Sequence, residues 1–172
     1  MLTANIRLNE TVTNIDDSIT LDFDTRQKAR IKSQTDAGTS IGIFLERGKP
    51  LMIDEILKTE CGKTVQVKGA LEPAMTATTK DWLSFSQVCY HLGNRHTRLQ
   101  VGDRWLRFQP DHVLLELVQE YGLSVSEDPA IFEPEKGAYS KLGKHSGTHS
   151  HSHSHGHSHA HSHEYSHKHE HD

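Results

Sequence analysis

The chain has 172 residues, with 19 Lys and Arg against 23 Asp and Glu, and its formal charge of −4 divides into −2 for the last 28 residues and −2 for the remainder. Neither part has the basic surplus of a phosphate-backbone binder, which argues against nucleic acid as a partner. Two cysteines, Cys61 and Cys89, form no CxxC pair and no disulfide framework, and no stretch approaches ~18 consecutive apolar residues, so neither a secreted disulfide scaffold nor a membrane span fits.

The N-terminus, Met1-Leu2-Thr3-Ala4-Asn5-Ile6-Arg7, lacks the apolar core of a signal peptide, and a cytoplasmic protein is expected. Residues 18–70 show mainly period-two patterning, as in Ile19-Thr20-Leu21-Asp22-Phe23, Ile41-Gly42-Ile43-Phe44-Leu45 and Thr64-Val65-Gln66-Val67-Lys68. Turn signals at Asp36-Ala37-Gly38, Arg47-Gly48-Lys49-Pro50 and Cys61-Gly62-Lys63 separate these runs. Short strands with frequent turns predict a small all-β domain over residues 1–71. Leu71-Glu72-Pro73 interrupts the pattern, because proline cannot donate to an interior ladder.

The second half has a different rhythm. Residues 74–79 read as a strand, and a helix is expected over 80–92, where Trp82, Phe85, Val88, Cys89 and Leu92 share one face and Gly93 supplies a left-handed stop. Residues 98–101 and 104–108 alternate across Gly102-Asp103, a hairpin signal. Pro110-Asp111 opens a second helix with Val113, Leu114, Leu117, Val118 and Tyr121 on its apolar face, stopped by Gly122. A last strand begins at Leu123. The order is β-α-β-β-α-β, so residues 72–142 are expected to form a ferredoxin-like domain and the chain to be α+β overall.

Residues 143–172 turn to Gly, Ser, Lys and His and are expected to be a disordered His-rich tail. Twelve of the fifteen histidines fall there: His145, His149, His151, His153, His155, His157, His159, His161, His163, His167, His169 and His171. The tract is irregular and ends in Glu164-Tyr165-Ser166-His167-Lys168-His169-Glu170-His171-Asp172, unlike the unbroken run of a purification tag. Neutral imidazole is a good ligand for Ni, Zn and Cu, and with a reference pKa near ~6.5 most such rings have a free lone pair at neutral pH.

Outside the tail stand His91, His96 and His112. His96 lies three residues past Gly93 on an expected loop, His112 in the first turn of the second helix, and His91 on the first helix beside its apolar stripe. For His91 or His112 alone, a solvated side chain is the ordinary reading. One histidine cannot close a metal site, but a two-fold axis near His96 would bring two copies to one ion, with His112 or tail imidazoles completing the shell. Cys89 reads as a core residue and Cys61 as a turn residue without an assigned role. Gly62-Lys63-Thr64 lacks the earlier glycine of a phosphate loop, since Leu57 occupies that place. No nucleophile or acid-base grouping rises above chance, and an enzyme is not expected.

Cys89-Tyr90-His91-Leu92-Gly93-Asn94-Arg95-His96, Asp111-His112-Val113-Leu114 and Phe132-Glu133-Pro134-Glu135-Lys136-Gly137-Ala138-Tyr139 together resemble the UreE family of urease accessory nickel metallochaperones. The resemblance implies an N-terminal peptide-binding domain and a metal-binding domain that forms a homodimer, with His96 of both protomers on nickel and His112 as a further ligand. Some members carry another histidine where Pro110 stands here. It also implies Ni(II) as cargo, with Zn(II) or Cu(II) able to take the same ligands, and a UreG-type GTPase and the urease apoprotein complex as partners. The tail then serves as an accessory reservoir. A general Ni or Zn buffer working through the tail is the alternative.

Overall fold

In the computed structural model the described residues are 1–8, 12 and 14–136. The twelve tail histidines and the end of the expected second domain lie outside them.

The N-terminal half is rich in strands. β1 (Leu2–Leu8), β2 (Asp17–Leu21), β3 (Arg30–Gln34), β4 (Ser40–Phe44), β5 (Ile56–Thr59) and β6 (Thr64–Gly69) form a six-stranded sheet ordered β2-β6-β5-β1-β4-β3. β1 runs parallel to β4 and β2 parallel to β6, while the other neighbours are antiparallel. Alternation explains the layering: Val65 and Val67 point into the core while Gln66 and Lys68 point out. Ile19, Leu21, Ile31, Ile41, Ile43 and Leu57 complete that apolar face.

One element departs from the all-β reading. Phe23 does not extend β2 but opens a single-turn helix, α1 (Phe23–Arg26). The Asp22 carboxylate accepts the Thr25 amide, which ends the strand at Leu21 and starts the turn. Four residues are too few to show a helical period.

The C-terminal half follows the β-α-β-β-α-β order read from the sequence: β7 (Met75–Thr78), α2 (Trp82–Asn94), β8 (Gln100–Val101), β9 (Trp105–Phe108), α3 (His112–Glu120) and β10 (Ser124–Ser126). Its sheet is antiparallel, in the order β10-β7-β9-β8. Phe85, Val88 and Leu92 of α2 and Val118 of α3 pack with Met75, Ala77, Leu106 and Phe108 of the sheet.

The expected apolar faces are narrower than the sequence pattern. Trp82 is 56% exposed and Val113 52%, and each stands in the first turn of its helix. Gly93 is not a stop either, since α2 continues to Asn94.

After β10 the chain returns across the molecule as an extended segment. Glu72 and Ala130 exchange backbone hydrogen bonds of 3.1 and 3.0 Å, and Phe132 is fully buried with its ring edge-on to Phe23 at 5.3 Å.

Candidate metal centre

The centre is built from the end of α2. Its N-cap, Asp81, accepts the Ser84 amide at 2.8 Å, and that bond holds the Asp81 carboxyl below the usual carboxylate range. At the other end, buried Leu92 anchors the last turn while its carbonyl accepts both the Arg95 amide at 3.1 Å and the Thr97 amide at 3.2 Å. The His96 amide donates to the Gly93 carbonyl at 2.9 Å. These bonds make a Schellman closure, and the residue in its left-handed position is His96, with φ +54°. Glycine usually occupies that place. Here an imidazole stands there, exposed to solvent.

Helix electrostatics separate the two candidate histidines of this half. His96 follows the C-terminus of α2, the negative end of the helix dipole, which favours a cation. His112 opens α3, where the partial charge is positive and opposes a cation. The neighbouring Asp111 offsets this only in part, since its carboxylate accepts the Val113 and Leu114 amides at 2.8 and 3.1 Å. His112 is exposed as expected, and the chain neighbours of both histidines, Thr97 and Asp111, line one depression with Arg98, Gln109, Pro110 and Leu114.

His91 has a packing role. Its Nε2 lies 2.7 Å from the Tyr121 hydroxyl, tying α2 to the end of α3, and its backbone carbonyl accepts Arg95 Nη1 at 3.2 Å. Cys89 packs against the core, and burial pushes its thiol up, which disfavours a thiolate ligand. Cys61 is exposed in its turn; the Thr59 hydroxyl, 3.3 Å from Sγ, is the largest influence lowering its pKa. Among the described residues no three His, Cys, Asp or Glu side chains gather as a metal shell. Among the described residues His96 belongs to no such group. The left-handed residue is thus His96 and not Gly93, where the sequence places the stop.

The family profile of the UreE urease accessory protein N-terminal domain matches residues 3–70, and that of the C-terminal domain matches residues 72–172. The chain belongs to the UreE family. The urease accessory protein UreE of Alteromonas mediterranea is 66% identical over 143 residues, covering 83% of this chain and 93% of the relative. The UreE of Psychromonas ingrahamii is 63% identical, covering 81% and 91% of the two chains, and that of a Marinomonas species is 49% identical, covering 74% and 87%. The UreE resemblance read from three short motifs thus extends through both halves. Among the described residues no helix is long and apolar enough to cross a membrane.

Proposed function

We propose that this chain is a cytoplasmic nickel metallochaperone that binds Ni(II) and delivers it for assembly of the urease metallocentre. The observation that carries the reading is His96, an exposed imidazole in a backbone position normally reserved for glycine, at the cation-favouring end of α2 in a UreE-family chain. A lone imidazole holds an ion only loosely, and a homodimer joined near His96 would supply a second one. In this reading residues 1–71 are the peptide-binding domain, residues 72–142 the ferredoxin-like metal-binding domain, and residues 143–172 the reservoir. A UreG-type GTPase and the urease apoprotein complex are the proposed partners.

Chain length supports the reservoir role. Glu135 donates its amide to the Leu99 carbonyl at 2.6 Å, which ties the root of the tail to a residue three positions beyond His96. Nine residue steps separate Lys136 from His145, and a chain of that length spans at most ~32 Å. Zn(II) or Cu(II) can take the same ligands, and Cu(II) more tightly, so nickel selectivity in this reading comes from docking to the correct partner.

A urease activation assay at limiting and at ample nickel tests the assignment with the full chain, His96→Ala, and a chain ending at Lys144. The delivery reading expects His96→Ala to fail at limiting nickel although its tail is intact. It expects the truncated chain to bind fewer ions yet retain most activation. The reverse pattern, with loss on truncation and none in His96→Ala, would establish a tail-based Ni or Zn buffer and sink the delivery reading.

A further inference from the structure

We propose that Arg98 is a positioning residue for the His96 loop, held by a guanidinium-aromatic clasp around Phe23 through which the N-terminal half fixes that loop in its left-handed helix-end conformation. Arg98 stands two residues past His96. Its Nη1 donates to Asp24 of α1 at 3.0 Å, and its guanidinium carbon lies 5.2 Å from the Phe23 ring centroid. Arg26 approaches the same ring at 5.8 Å, and Phe132 meets it edge-on. Arg26 is only 2% exposed and donates Nη2 to the Phe132 carbonyl at 2.7 Å, so the base of the clasp is fixed within the core.

The next two residues are held as well. The Leu99 carbonyl accepts the Glu135 amide, and the Gln100 side-chain oxygen accepts the Glu133 amide at 3.1 Å. Three consecutive residues leaving the His96 turn are thus gripped by groups from outside the α2 and β8 unit, while buried Leu92 holds the turn from the other side. A non-glycine residue stays left-handed only where its surroundings over-determine the backbone. Here α1 and the 130–135 segment supply that determination.

The side-chain chemistry selects arginine. The ion pair alone is weak, because the Arg98 and Asp24 side chains are 56% and 63% exposed. A planar guanidinium can lie on the ring and donate to Asp24 at once, whereas a lysine ammonium makes the ion pair without the flat stack.

Residue-resolved amide hydrogen exchange on the metal-free full chain tests the clasp, read at Arg95, His96 and Thr97, whose amides close the turn. Arg98→Ala is expected to speed exchange at these three amides by about tenfold, with β4, β6 and the middle of α2 unchanged. Arg98→Lys should recover only part of the protection, and Phe23→Leu should reproduce the local acceleration. Unchanged exchange in Arg98→Ala, or acceleration spread evenly into the core strands, overturns the clasp; wild-type protection in Arg98→Lys overturns the stacking. Its importance for delivery rests on the nickel reading, and urease activation at limiting nickel is expected to fall severalfold in Arg98→Ala. Activation unchanged there, with exchange accelerated, overturns the positioning role. Because exchange is measured without metal, failure of His96→Ala to affect activation would remove the nickel reading and leave the clasp standing.

Discussion

His96 stands at a helix end where the backbone favours glycine, and in the nickel-delivery proposal its side chain is the reason to tolerate that. A left-handed conformation costs an L-residue roughly 1–2 kcal/mol, part of which glycine would return to its greater freedom in the unfolded chain. His96→Gly is therefore expected to raise unfolding stability by about 0.5–1 kcal/mol. His96→Ala keeps the Cβ and should leave stability near wild type. Both variants lose the imidazole, so the glycine form would be the more stable and equally defective in delivery, a trade common at functional sites. Urea titrations of the three proteins decide the matter. A glycine variant less stable than the alanine variant would mean that the turn is not left-handed in solution.

At the scale of elements, the two helices offer opposite ends to the two exposed histidines, and their caps are separable. Asp111 accepts two amides of the first turn of α3, so Asp111→Ala is expected to cost about 1 kcal/mol in denaturant unfolding. It also removes the carboxylate beside His112 and should leave the His96 end of α2 untouched; a loss of protection at the Thr97 amide would contradict that independence. The β-α-β-β-α-β order was legible because every one of those elements has its own apolar rhythm, down to the short strand at Val125. The limits of α2 were not, because glycine is a local signal whereas the burial of Leu92 in the core is a tertiary fact. Helix α1 was hidden by its length, with only the Asp22 to Thr25 spacing to announce a cap. His96 could be singled out from its motif, but the contacts around its turn could not: Arg98 and Asp24 are 74 positions apart, and no local pattern pairs them.

Across the whole molecule, acid is expected to act on the proposed metal ligands and on the fold in different ranges. The carboxyls of Asp22 and Asp36 are held below their ordinary 3.8, Asp22 chiefly by the Thr25 amide and Asp36 chiefly by the Ser18 hydroxyl. A depressed carboxyl contributes stability that is fully present above the unfolded value and is lost as pH falls through the lowered folded value. These groups therefore leave the fold intact at pH 5 and weaken it only below ~4. In the proposed reservoir role, protons compete with metal for the twelve tail imidazoles, whose reference pKa is near ~6.5, well above that range. Lowering pH from 7.5 to 5 is expected to release more than about half of the bound nickel while near-UV circular dichroism stays constant. The chain ending at Lys144 should show a much smaller change in bound metal over the same interval. Dialysis against buffered nickel, with metal counted per chain at each pH, makes the comparison. Full retention at pH 5 would show that imidazoles are not the principal ligands, and release that coincides with loss of the dichroism signal would mean that the fold and the reservoir are not separate acid-sensitive systems.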